Sequence, residues 1–242
     1  DPYFLKISAD YITQPLTYIF NLSLSTTQIP KIWKSAFVTP LFKVGDPAIL
    51  NSYRPISKLC ILSKVLESLI NEQLKEYLYS NNLLCKFQSG FRKGHSTITA
   101  TLKVMNDILA ALDNKQHCAA LFIDLSKAFD TVNHNLLEER LTKIGLSKQA
   151  VGWFSNYLTD RSQCVKSDKI CSNSLSLTKG VPQGVLGPLL FTIYVNNVGQ
   201  DLIHTNYHFY ADDMVFYSLG KKNLVRVSLR YKLLLIWFST GF

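Results

Sequence analysis

Two short apolar runs in this chain each lead into carboxylates. Ala119 to Ile123 ends abruptly at Asp124, and the aromatic-rich stretch His208 to Tyr217 carries Asp212 and Asp213 at its middle. A carboxylate held against a hydrophobic sheet is costly to desolvate unless a cation or a donor meets it. Taken singly such residues are ordinary: an acidic pair is usually a solvated turn, and Asp124 could cap a helix. Taken together they point further. If the strand ending at Asp124 lies beside a hairpin carrying Asp212, their oxygens converge on one point. Hard oxygen ligands with room for water and phosphate describe a magnesium site, and two such ions can bridge an attacking hydroxyl and a leaving pyrophosphate.

The elements that must position these groups follow from periodicity. Ile61, Leu62, Val65, Leu66, Leu69, Ile70 and Leu74 keep helical spacing, which predicts a helix from near Ser57 to about Tyr79, stopped by Asn81 and Asn82. A second helix fits Thr97 to about Leu112, with Ile98, Leu102, Met105, Ile108, Leu109 and Leu112 on one apolar face. Ala119 to Ile123 reads as a buried strand with a site at its tip. Leu136 to Ile144 and Gln149 to Leu158 read as short helices separated by Gly145, with Ser147 as an N-cap. Ser162 to Lys179 suggests a polar hairpin, and His208 to Tyr217 a hairpin with Asp212 and Asp213 at its turn. After the Gly- and Pro-rich turn Gly180 to Pro188, periodicity leaves Leu189 to Val195 as helix or buried strand, and helix is preferred. The alternation points to an α+β fold, a sheet backed by helices.

Composition adds bounds. The 242 residues, 47% hydrophobic and 18% charged, are those of an ordinary globular chain able to bury a core. The net charge of +9, spread over both halves, makes a polyanionic partner plausible without requiring one. Cys60, Cys85, Cys118, Cys164 and Cys171 form no C-x-x-C pair and no zinc-ligand spacing, so they read as buried thiols in a reducing compartment. No signal peptide opens the chain, and the apolar run Leu233 to Phe238 is far short of the about 20 residues a bilayer crossing takes. The expectation is an intracellular protein of nucleus and cytoplasm, neither secreted nor in the membrane, and a fragment of something longer.

Phe209-Tyr210-Ala211-Asp212-Asp213 resembles the FYADD box of reverse transcriptases. Ala120 to Val132, ALFIDLSKAFDTV, resembles the first catalytic block of non-LTR retrotransposon enzymes and of group II intron maturases. TPLFKVGD from Thr39, NSYRPIS from Asn51, QSGFRKGHST from Gln88 and GVPQGVLGPLLF from Gly180 follow in the family's order. A four-letter match recurs by chance; collinear blocks multiply their weight. The chain is identified as a member of that family, similar to its non-LTR (LINE-type) branch. The resemblance implies a right-hand polymerase palm, an antiparallel sheet backed by helices, with a fingers subdomain and no thumb. The implied division is a finger extension over residues 1–38, fingers over 39–118, palm over 119–220 and a truncated or divergent basic tail over 221–242.

It implies, too, that an RNA template and a DNA primer are the partners and that deoxynucleoside triphosphates are the substrates. Asp124 and Asp212 would be the ligands shared by two magnesium ions, for which manganese could substitute. Asp213 would be a more peripheral carboxylate, and Leu125 a further metal contact. Phe129 sits where the family places a ring under the incoming sugar, a steric bar to a 2′-hydroxyl; the plainer reading is a core residue. Lys43 and Arg54 resemble the cations that grip the triphosphate. Gln183 resembles the residue touching nucleotide and templating strand, and Gly184 allows close backbone approach. Arg92 and Lys93, beside Phe91, and Tyr210 are assigned to template and primer. Lys222, Arg226 and Arg230, four apart, would line one helix side, more often solvated than nucleic-acid-bound.

The pattern departs from the family in three places. Relatives read GVPQGSVLGP, whereas here Val185 follows Gly184 directly, and one deleted residue turns a following helix by about 100 degrees unless the loop absorbs it. Asn197 stands where Asp is common. The block with LN-x-x-KT is not found after Leu219, and with the thumb absent little processive activity is expected of this chain alone. Three readings compete: an RNA-directed DNA polymerase module of a mobile element, a decayed remnant that keeps the fold and at most binds nucleic acid, and a group II intron maturase, which SKAFDTVNH and GHST make less apt.

Overall fold

The computed structural model describes residues 2–167, 170–200, 202 and 205–220. In chain order its elements are α1 (Pro2–Ile7), α2 (Ala9–Thr26), β1 (Ser35–Phe42), β2 (Tyr53–Lys58), α3 (Ile61–Ser80), α4 (Thr97–Asp113), β3 (His117–Asp124), α5 (His134–Lys143), α6 (Lys148–Leu158), β4 (Arg161–Ser167), β5 (Ile170–Cys171), β6 (Leu175–Leu177), α7 (Gly187–Val195), β7 (Asn206–Tyr210) and β8 (Asp213–Gly220). They form two compact units, each drawing on two stretches of chain: Asp1–Ser80 with Phe129–Leu190, and Asn81–Ala128 with Phe191–Phe242. The expected mixture of helices with antiparallel sheet is met.

In the first unit β1 is flanked by β2, antiparallel, and by β4, parallel, while β5 and β6 both pair with β4. The segment expected as a polar hairpin thus folds back on itself and also joins the β1–β2 ribbon. Helices α5 and α6 are short because each has a built stop and start. Gly145 takes φ +91 between them, and the Ser147 hydroxyl accepts from Ala150 N at 3.2 Å. Helix α6 buries Trp153, Phe154, Tyr157 and Leu158, and the Trp153 indole donates to Ser23 Oγ of α2 at 3.2 Å. The buried Arg161 guanidinium donates to Tyr157 O at 2.8 Å and Trp33 O at 3.4 Å.

In the second unit β8 lies between β3 and β7, antiparallel to both. Met214, Phe216 and Ser218 alternate into one buried face, joined by Phe209. A parallel bridge from Gln88 to Phe209 extends the sheet beyond β7. Helix α4 opens on a capping box between Ser96 and Thr99 and packs on this sheet.

Several expectations are corrected. The α4 face toward the sheet is its small-residue face, Ala100, Val104 and Ala111, together with Asp107, which accepts from the Tyr217 hydroxyl at 2.6 Å. The apolar stripe Ile98, Leu102, Met105, Leu109 and Leu112 is exposed, Leu102 at 55%. The first long helix begins at Ile61, not Ser57, because Ser57 and Lys58 pair with Val38 and Phe37 as strand. None of the five cysteines is fully buried; Cys171 is exposed, and its thiol lies 3.3 Å from that of Cys164 across the hairpin. Residues 2–26, read as part of a finger extension without assigned elements, are helical except for Ser8. Lys222, Arg226, Arg230 and the run Leu233 to Phe238 lie outside the described residues. Among the described residues no helix is long and apolar enough to cross a membrane.

Candidate active site

The β7–β8 hairpin closes through Ala211 and Asp212 alone, because Tyr210 pairs with Asp213. Two-residue hairpin turns match strand twist when the first central residue has positive φ, a place usually given to glycine. Ala211 takes it at φ +58. Asp124, last in β3, is the register partner of Asp213. Antiparallel partners have Cα atoms about 5 Å apart with side chains on the same face. The residue opposite Asp124 is therefore Asp213, while Asp212 adjoins it in the turn. Asp124 and Asp213 are exposed and Asp212 is half-buried.

Burial, then the charge of Asp212, then that of Asp124, push the Asp213 carboxyl above its ordinary value. Burial is the first cause, and the two like charges add to it. Among the described residues no three carboxylate, imidazole or thiol groups stand close enough to hold a metal ion by themselves. Magnesium is commonly held by one or two carboxylates, with waters and substrate phosphates completing its shell. A cross-strand acidic pair with a third carboxylate beside it fits that ion. Leu125 follows Asp124 and is half-buried.

The other sequence-derived residues fall into groups. In the second unit Tyr210 is half-buried opposite Asp213, and Lys93 is exposed. The Arg92 guanidinium turns onto the protein, donating to Cys85 O at 2.9 Å and Gln88 O at 3.2 Å. In the first unit Leu41 pairs with Arg54, and Lys43 N donates to Ser52 O at 2.8 Å. Lys43 and Leu41 are two apart, so alternation puts both exposed cations on one face of the ribbon. Val181 N donates to Phe129 O at 2.8 Å, and the exposed Gln183 amide reaches Asp130 Oδ1 at 3.4 Å. Phe129 is half-buried and so not fully core. These bonds tie Phe129 and Asp130 to the turn that carries Gln183.

Two side chains that sequence reasoning passed over hold these turns. Glu67 of α3, 1% exposed, accepts from Ser63 Oγ at 3.1 Å and from Val185 N at 3.0 Å, and Leu186 N lies at 3.5 Å. It sits at the turn that enters α7. Its signal was a Glu on a helix face shared with Leu66, Leu74 and Leu78. Gln88, also 1% exposed, grips the acidic turn. Its only signal was membership in a block otherwise read for its cations.

The sequence profile described as reverse transcriptase (RNA-dependent DNA polymerase) matches residues 42–234. A probable RNA-directed DNA polymerase from transposon BS of Drosophila melanogaster is 39% identical over 181 residues, 74% of this chain and 20% of that protein. The RNA-directed DNA polymerase from mobile element jockey of the same fly is 34% identical over 196 residues, 80% of this chain and 21% of that protein. The chain thus spans about a fifth of the curated relatives it matches. Among solved structures, a telomerase from Candida tropicalis truncated from its C-terminal domain superposes with TM-score 0.60 at 12% identity, over 96% of this chain and 51% of that one. A second, in complex with a TWJ fragment of telomeric RNA, gives 0.56 at 14% identity, over 90% and 41%. With the acidic turn and its opposing strand carboxylate both falling in the matched stretch, the chain belongs to the reverse transcriptase family, in its non-LTR retrotransposon branch.

Proposed function

We propose that this chain is the nucleotidyl-transfer module of a mobile element's RNA-directed DNA polymerase, adding deoxynucleotides to a DNA primer on an RNA template inside the cell. The observation that carries the reading is the register of Asp124 against Asp213 with Asp212 in the adjoining turn. The relatives' names, and a fold shared with a telomerase solved with RNA, support RNA as template.

Asp124, Asp212 and Asp213 would hold the divalent ions, magnesium with manganese as substitute, Leu125 standing beside them. When bound, those ions supply positive charge at the transferred phosphoryl group. The chain's own part is placement, since phosphoryl-type transfer leaves side chains little covalent work. Lys43 and Arg54 grip the triphosphate, one as a point charge and one as a planar fork. Phe129 excludes a 2′-hydroxyl by its bulk. Gln183, oriented by Asp130, meets the nucleotide, and Gly184 lets backbone come close. Tyr210 and Lys93 face primer and template, while Arg92 orders the loop beneath them.

The second reading, a remnant that binds nucleic acid without catalysis, draws on the residue missing after Gly184. Primer extension on an RNA template with magnesium separates the two. Asp212→Asn should cost several kcal/mol of transition-state stabilisation, about a thousandfold in rate. Extension that survives this change sinks the polymerase reading. RNA binding with no extension by either chain supports the remnant.

A further inference from the structure

We infer that Gln88 is a positioning residue for the acidic turn, holding Ala211 in its left-handed conformation and so setting where Asp212 and Asp213 stand. The inference rests on the polymerase reading for its catalytic meaning, and on geometry for the rest. The Gln88 amide meets the turn twice: Oε1 accepts from Ala211 N at 3.2 Å, and Nε2 donates to Ala211 O at 3.3 Å. The same Oε1 accepts from Gly90 N at 2.8 Å. Both backbone polar groups of Ala211, whose φ is unfavourable for a residue with a side chain, are thus satisfied by a single buried side chain. Strain of this kind persists only where the surroundings over-determine it.

The segment that presents Gln88 is itself fixed. Ser89 N donates to Phe209 O, and Phe209 N to Phe87 O, each at 2.8 Å, a short parallel ladder on β7. The Ser89 hydroxyl sits 2.9 Å from His208 Nε2 and 3.1 Å from His95 Nδ1. Arg92 grips the Gln88 carbonyl. Gly90 completes the fit: a Cβ there would lie 2.1 Å from Ala211 N and 2.8 Å from its Cα, so only glycine lets this backbone press against the turn. The brace must be neutral, because a charged acceptor at this spot would add to the repulsion already gathered around Asp213.

The test uses the whole chain and two readouts, Mn2+ binding by electron paramagnetic resonance and primer-extension kinetics, with melting temperature alongside. Gln88→Ala and Gly90→Ala are compared with Thr205→Val, a change at the open end of the same hairpin where the Thr205 hydroxyl lies 3.4 Å from Ser218 Oγ. Misplacing the turn should lower kcat about 100-fold, raise the magnesium concentration needed for half-maximal rate, and weaken Mn2+ binding. KM for the nucleotide should stay within about twofold, since ground-state binding is not what is lost. Thr205→Val should keep metal binding and kcat whatever its melting temperature. If Gln88→Ala does not fold, Gln88→Met, which keeps the volume and loses all three bonds, carries the same comparison. Metal binding and kcat unchanged in the Gln88 and Gly90 variants overturn the inference. A wild-type chain that binds Mn2+ but extends nothing, with binding weakened by Gln88→Ala, upholds the positioning role and sinks the polymerase reading. A chain that neither binds nor extends sinks both.

Discussion

Two turns in this molecule are held the same way by side chains of opposite character. The turn Ala211-Asp212 is gripped by a neutral amide, Gln88, while the turn entering α7 is gripped by a carboxylate, Glu67. The difference follows from what each turn presents. The start of α7 offers backbone N–H groups with no intrahelical partner, at the positive end of a helix dipole, and a carboxylate meets both needs. The hairpin turn offers one N–H and one C=O and carries two acids, so it needs a group that donates and accepts without charge. A buried brace is matched to the backbone groups and to the charge of what it holds.

Exchanging the two braces should break this symmetry unevenly. Gln88→Glu places an uncompensated acid against the Ala211 carbonyl and beside Asp212 and Asp213, costing about 3 kcal/mol or more. Glu67→Gln keeps one acceptor oxygen for the α7 turn and should cost about 1 kcal/mol. Urea denaturation measures both. Equal losses would mean the charge of the brace is irrelevant. The glycines sharpen the point further. Gly90→Ala drives a methyl to 2.1 Å from backbone, which has nowhere to go. Gly184→Ala meets the Glu67 carboxylate oxygen at 2.4 Å and Leu59 Cδ1 at 2.7 Å, side-chain ends that can retreat, so its cost should be about 2 kcal/mol and the smaller of the pair.

The strands bearing the acids were legible as strands because each carries a short apolar run next to a carboxylate, a pattern local in sequence, but β3, expected to be buried, is exposed or half-buried along its length, Phe122 at 76%. The partnership across the sheet was less so. Register is set by the whole β3–β8 ladder from His117 to Asp124, and it makes Asp213 the cross-strand partner of Asp124, with Asp212 in the adjoining turn. Helix α4 shows what periodicity leaves open. It marks an apolar stripe, yet which face is packed depends on the fit to the sheet, and there the small side chains of Ala100 and Ala111 and the Asp107–Tyr217 bond prevailed. Gln88 and Glu67 were illegible for a related reason. The turns they brace meet them through backbone atoms remote in sequence, Val185 N for Glu67 and the Ala211 backbone for Gln88, and backbone atoms carry no residue type to read.

The smallest expected effect concerns the acids themselves. Burial and the neighbouring Asp212 and Asp124 raise the Asp213 carboxyl above its ordinary value of 3.8, so its ionisation opposes folding. The stability it contributes is fully present below pH 3.8 and is lost as pH rises through the folded-state value. Asp213→Asn removes the charge and with it the pH-dependent loss. Without divalent metal, the variant should therefore melt at or slightly above the wild-type temperature at neutral pH, the two converging under acid. Magnesium or manganese should reverse the order, because an ion that binds only the folded, ionised site stabilises the wild type by mass action and gains little from the variant. A variant less stable than wild type in metal-free neutral buffer would mean that Asp213 already holds a favourable partner. The acidic turn would then be an ordinary structural one, no different in kind from the turn that Glu67 caps.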